Sequence, residues 1–342
     1  MRWNAIHQLT LARFREFVRQ PEALFWVFGF PILLALALGF AFREKAPERT
    51  PVGVTGPRAA ALARALETSP LLRVRPLGEA AGREALRTGR ISLLVEGSGA
   101  PVFRYDPTRP ESRIALLEAE SALQRAAGRR DPVAIDRIES TEPGARYIDF
   151  LIPGLLGLNL MGTGMWGVGF SIATARMQKL LKRLVATPMR RGDYLLSHML
   201  SRLGFLVLEV VALVGFGWIA FDVAVRGSIV SLAIVCLLGA LSFGALGLLA
   251  ASRVETLEGV NGIMNVIMVP MWVASGVFFS TERFPDAAQP FIKALPLTAL
   301  NDALRAIINE ARPLSSLWPE IAVLAAWGMV SFVVALKIFR WK

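Results

Sequence analysis

The stretch "ARMQKLLKRLVATPMRRGDYLLSHML", residues 175–200, lies between two long apolar runs, and its reading sets the layout of the chain. Met177, Leu180, Leu181, Leu184 and Val185 fall at i, i+3, i+4, i+7 and i+8, the spacing of an apolar stripe on a helix, while Arg176, Lys179, Lys182 and Arg183 lie mostly off it. Pro188 has no N–H and disfavours helical geometry at Thr187, so the helix is expected to stop there. Asp193 then stands where it would cap the next helix, which opens "YLLSHMLSRLGF". The expected order is span, short surface helix, sharp turn, span. Two readings fit these residues alone. In one the segment is an interfacial loop with its cations on anionic lipid and its leucines in the acyl boundary. In the other it is a docking helix that passes movement from a cytoplasmic protein to the spans beside it.

Composition agrees with a membrane setting. The 342 residues are 54% hydrophobic, with a mean hydropathy of +0.48, above the apolar share of an ordinary soluble domain. The net charge of +11 sits largely in short segments flanking apolar runs rather than on one basic module, which argues against nucleic-acid binding. A single cysteine, Cys236, lies inside an apolar run, so no disulfide can staple the chain.

Spans of about 20 apolar residues are expected near 22–42, 148–174, 195–221, 228–251, 259–280 and 317–339, giving about six transmembrane helices. The first is longer than a signal-peptide core and reads as an uncleaved span. The fifth carries Asn261, Asn265 and Pro270, which a neighbouring helix or a local break must accommodate. Lys and Arg in short loops set orientation. The 175–193 loop carries six such cations against Asp193 alone, and the tail "KIFRWK" is basic, so both termini are expected inside and residues 43–147 and 281–316 outside.

Residues 43–147 alternate strand-like and helix-like pieces: "PVGVT", "PRAAALARALETS", "LLRVRPL", "GEAAGREALRTG", "ISLLVEG", "PVFRYD" and "RPESRIALLEAESALQRAAG". That alternation predicts a compact extracytoplasmic α/β domain with a mixed sheet, inserted between spans 1 and 2. It carries no metal-ligand spacing, nucleophile elbow or phosphate loop. Residues 1–21 read as an amphipathic helix in the cytoplasmic interface, ended by Pro21; the alternative is an extension of span 1. Residues 276–313, with Leu300, Leu304 and Ile307 or Ile308 at helical spacing and Pro285 and Pro296 at the corners, read as short helices that re-enter or rest at the outer face.

Within the spans, Glu209 is an ionisable group where such groups are costly and face a bundle interior or cavity. It follows Arg202 by two helical turns, so it reads either as a packed carboxyl paired with Arg202 or with a polar group on another span, or as a residue of a substrate path or gate. Asn159, Asn261 and Asn265 read as interhelical hydrogen-bonding groups, with Asn159 and Asn265 also open to a place on the substrate path. The glycines of "PGLLGLNLMGTGMWGVG" suit close packing between helices.

These pieces resemble the membrane subunits of type-2 ATP-binding cassette (ABC) exporters, the ABC-2 type permeases. "FLIPGLLGLNLMGTGMW" (150–166) is similar to the second span of that family. "LKRLVATPMRRGDYLLSHMLSRL" (181–203) is similar to its cytoplasmic helix, Thr-Pro turn and third span. "PMWVASGVFFSTERFP" (270–285) followed by "LPLTALNDALRAIIN" (295–309) is similar to its tail segment. Many members have a Glu-Arg-Glu and Gly-Thr signature before the Thr-Pro turn; this chain has "ARMQKLLKR", so its docking surface is cationic.

The resemblance implies an all-α polytopic fold with the inserted α/β domain, pairing with a second or related permease as a homo- or heterodimer, and docking on an ABC ATPase subunit through Arg176, Lys179, Lys182, Arg183, Thr187 and Pro188. It implies no cofactor on this chain, with ATP and Mg on the partner, residence in a bacterial inner membrane in contact with lipid, and alternating access as the mode of transport. The sequence contains no G-x-x-x-x-G-K-[ST] loop. A secondary transporter would carry more intramembrane charges and a repeated half, a membrane enzyme would need a cluster of acids, histidines or a nucleophile, and a receptor or scaffold would use the inserted domain to hold a partner.

Overall fold

A computed structural model describes residues 7, 11, 15, 17–42, 49–130, 144, 146–177, 191–254 and 256–338, with backbone alone for 175, 176 and 191–201. In chain order the elements are α1 (Pro21–Ala41), β1 (Thr50–Thr55), α2 (Ala59–Leu66), β2 (Leu72–Pro76), α3 (Glu79–Arg87), β3 (Leu93–Glu96), β4 (Val102–Tyr105), α4 (Pro110–Ala126), α5 (Tyr147–Met177), α6 (Arg191–Phe221), α7 (Ile229–Ala251), α8 (Leu257–Ala274), α9 (Gln289–Lys293), α10 (Pro296–Ile308) and α11 (Trp318–Ile338). They fall into two units, residues 44–139 and the remainder of the chain.

In the smaller unit the strand order is β2-β1-β3-β4, with β1 parallel to both neighbours and β4 antiparallel to β3. The sheet is mixed, as the alternating pattern predicts. Leu93 and Val95 join Val52, Val54, Leu62, Leu66 and the Ala115, Ala119 and Ala122 stripe of α4 on one face. Leu94, between them in sequence, packs with Ile91 and Ala85 of the α3 side. Strand alternation thus gives the sheet two apolar faces, each covered by helix.

The larger unit carries six helices long and apolar enough to cross a membrane: Pro21–Ala41, Tyr147–Thr174, Arg202–Phe221, Ile229–Ala251, Leu257–Ala274 and Trp318–Ile338. Helix α1 is not regular. Phe25–Gly29 form a π turn just before Pro31, a local widening that accommodates a proline without an N–H to give. Helix α5 is the most enclosed span, and α7 shares its core through Phe243, Val235 and Cys236.

Two sequence readings change here. The fifth span stops at Ala274 rather than 280, because Gly276 turns the chain at φ +69, a conformation that favours glycine. Asp193 lies inside α6, which is helical from Arg191, so it does not cap that helix. The 276–313 segment does form short helices, and α10 is enclosed by the bundle: Leu297 through Asn301, Ala303, Leu304 and Ala306 through Ile308 are all buried. Residues 7, 11, 15, 17 and 18 are helical and residues 19 and 20 are not, while the other residues before Pro21 and residues 178–190 of the expected docking helix lie outside the described residues.

Candidate functional site

A cavity of about 1080 Å³ opens in the membrane unit between α1, α5, α6 and α8. Its walls are aromatic and aliphatic: Phe17, Trp26, Phe30, Trp166, Phe170, Phe205, Trp272 and Phe278, with Leu34, Leu155, Leu158 and Met268. Aromatic contacts knit the α1 side, with Phe17 4.4 Å from Phe205 and Trp26 5.2 Å from Phe30, centroid to centroid. Trp26 and Trp272 line the cavity and are exposed.

The polar part of the wall is small. Arg202 and Glu209, one above the other on α6, form an ion pair at 3.2 Å, with Glu209 only 2% exposed. Thr163 of α5 completes the group: its Oγ1 accepts from Arg202 Nη2 at 2.7 Å and lies 2.9 Å from Glu209 Oε2 and 2.9 Å from the Asn159 carbonyl oxygen. Its single proton serves one acceptor or the other. The charges therefore cancel locally, and the hydrogen bonds bridge two spans where an unpaired carboxylate would be costly. Asn159 lines the same cavity, 8% exposed, and its carboxamide makes no hydrogen bond to any described residue. It offers a donor and an acceptor to whatever enters.

Helix α5 divides its glycines between two tasks. Gly157, Gly164 and Gly169 meet Asn301, Phe243 and Met264, where a Cβ would collide. Gly162 and Gly167 have open space beside them and line the cavity. The close-packing role read from the sequence applies to the first set; the second set widens the cavity.

Of the residues singled out in the sequence, Glu209 and Asn159 come together here, and Glu209 makes both of the contacts that its reading as a packed carboxyl named, with Arg202 and with another span. Asn265 does not join them; it is exposed on α8 and is not part of the cavity wall. Asn159, Asn261 and Asn265 make no side-chain hydrogen bond among the described residues, so the interhelical bonds come from other groups. The side chain of Arg176 is not described, and Lys179, Lys182, Arg183, Thr187 and Pro188 lie outside the described residues. Thr163 was missed in the sequence, as was a stripe of donors on α10: Asn301, Arg305 and Asn309 bind carbonyl oxygens of Ser275, Gly276, Phe150 and Asp149. Their spacing of four residues along one face of a mostly apolar helix was the available signal.

Six membrane-length helices and an aromatic cavity with one neutralised polar patch are thus found among the described residues. A family model described as "ABC-2 family transporter protein" matches residues 21–337. This chain belongs to the ABC-2 transporter family. The family is one of transporter proteins, so membership implies a membrane transport role that works with an ABC ATPase.

Among curated proteins the chain is similar to "ABC transporter G family member 20" of Dictyostelium discoideum, 25% identical over 237 residues, covering 68% of this chain and 32% of that one. It is also similar to "Nodulation protein J" of Rhizobium meliloti, 23% identical over 205 residues, covering 58% and 75% respectively. "Probable multidrug ABC transporter permease YbhR" of Escherichia coli K12 is 22% identical over 196 residues, covering 56% and 53%. The match thus spans about a third of the Dictyostelium protein and about half of YbhR.

Proposed function

We propose that this ABC-2 protein is the membrane-spanning subunit of an exporter in a bacterial cytoplasmic membrane, moving an amphiphile, drug or lipid-like molecule by alternating access. The observation that carries this reading is the cavity: its wall is apolar and aromatic, its one ion pair is internally neutralised, and its unpartnered amide at Asn159 can orient a polar head. A site of that kind suits a molecule with a large apolar body and few polar groups. YbhR, a probable multidrug permease, favours the same class.

In this reading both termini are cytoplasmic, the 44–139 unit is extracytoplasmic, and two permease copies or related permeases pair. An ABC ATPase subunit, carrying ATP and Mg, docks on the basic helix of 175–190. Closure of the ATPase presses Arg176, Lys179, Lys182 and Arg183, the turn at Thr187 and Pro188 transmits the push into α6, and α6 carries Arg202 and Glu209 at the cavity wall. Each state binds cargo and nucleotide differently, so each ligand biases one shared equilibrium.

The test uses inside-out vesicles holding the chain and its ATPase, with ATP-dependent accumulation of a fluorescent phospholipid or dye as readout. Reversing Lys182 and Arg183 to Glu is expected to abolish accumulation while the protein still inserts and ATP is still hydrolysed. Full accumulation by that variant would mean that the two cations hold lipid and not the ATPase.

A further inference from the structure

Pro153 inside α5 has no N–H, which leaves the carbonyl of Asp149 without its helical donor. Helix α8 ends at Ala274, leaving the carbonyls of the residues that follow open as well. One stripe of α10 fills these openings. Asn309 Nδ2 donates to Asp149 O at 2.8 Å, Asn301 Nδ2 donates to Ser275 O at 2.9 Å, and Arg305 between them donates to Gly276 O and, through Nε and Nη2, to Phe150 O at 3.3 Å. The Arg305 guanidinium also lies 3.6 Å from the centre of the Phe150 ring.

Arg305 therefore grips α5 and the turn after α8 at once. Phe150 lies five residues before Leu155 on α5 and Gly276 two before Phe278, and Leu155 and Phe278 are walls of the cavity. Tyr147 repeats the tie, its hydroxyl donating to Phe278 O at 3.0 Å. A planar fork that serves two carbonyls and stacks on a ring is something arginine provides and lysine does not.

We infer that Arg305 is the positioning residue that keeps the cavity closed at the end walled by Leu155 and Phe278, by fixing the distance between α5 and the turn after α8. Release of this clasp opens that end, and in the transport reading it is where cargo leaves. The meaning for transport rests on the cavity being the cargo's path; the closure itself does not.

The test measures closure without cargo or ATPase, so its failure is distinct from a failure of the transport reading. In the full chain, with Cys236→Ser as background, Leu158→Cys places a thiol on the cavity wall. Its rate of labelling by a membrane-impermeant sulfonated maleimide is measured in lipid nanodiscs on the monodisperse fraction. Arg305→Lys and Arg305→Gln are expected to raise the rate roughly tenfold, the scale of losing one or two charge-assisted hydrogen bonds. Asp302→Asn removes only the 3.8 Å ion-pair neighbour of Arg305 and is expected to leave the rate within about twofold. Labelling of Arg305→Lys at the parent rate would overturn the proposal, because charge without the fork would then suffice.

Discussion

Replacing Gly157 with alanine tests how α10 is seated against α5. A Cβ at Gly157 would stand 2.0 Å from Asn301 Oδ1, whereas a carbon–oxygen contact settles near about 3.3 Å. The amide must retreat by more than about 1 Å, and it has nowhere to go: Asn301 is fully buried and its Nδ2 is committed to Ser275 O at 2.9 Å. Overpacking of this kind costs about 1–3 kcal/mol, and a buried donor and acceptor pulled apart cost about 1–3 kcal/mol more. The expected loss is thus about 2–6 kcal/mol. Cys236, 1% exposed in the same core as Leu300 and Leu304, supplies the reporter: its reaction with a fluorogenic maleimide on heating marks unfolding of the membrane unit. Gly157→Ala should lower the onset by several degrees, at about 2–4 °C per kcal/mol. Gly162→Ala, with open space beside it, should leave the onset unchanged or raise it slightly. Removing the obstructing amide with Asn301→Ala should make the double variant less destabilised than the two single losses added together. An onset for Gly157→Ala equal to the parent's would refute the contact.

Two further outcomes are expected. Glu209→Ala strands Arg202 and Thr163 beside the cavity and should cost about 3–5 kcal/mol, read as an earlier Cys236 thiol onset; Glu209→Gln keeps an acceptor for Arg202 and turns its NH2 toward Thr163 Oγ1, which can accept, and should cost less, so if it exports cargo normally the carboxylate is a packing group and not a gate. In the 44–139 unit, Leu93→Ala removes a fully buried side chain from the core between the sheet and α4, and should destabilise that unit by about 2–5 kcal/mol, read as faster proteolytic cleavage within 50–126.

What the sequence disclosed follows from which forces are local. Membrane-length apolar runs register without knowledge of neighbours, and so did the strand alternation around Leu93, Leu94 and Val95. Glu209 was legible because a carboxylate amid "VLEVVALV" is costly enough to need a partner, and Arg202 two turns away on the same helix face was within reach. Thr163 was hidden because a threonine in a span is unremarkable until the span beside it is placed. The end of α8 was misplaced because Val277, Phe278 and Phe279 continue the apolar run past Ala274, and the backbone at Gly276 shows that the chain turns.

Helix α10 shows the limit most sharply. Its apolar positions Leu300, Leu304 and Ile307, set against Asn301, Arg305 and Asn309, have the pattern of a surface helix with one wet face. Inside a bundle the same pattern means something else: the polar face is turned toward carbonyls that Pro153 and the end of α8 leave open, and water is replaced by protein acceptors. Periodicity tells which residues share a face, but not what covers it. The deciding information lies some 150 residues upstream, in a proline whose missing N–H creates the demand that Asn309 fills. Helix-breaking residues in spans are therefore worth pairing with polar side chains elsewhere in the chain, because an unfilled carbonyl in the bilayer is a requirement some other residue must meet.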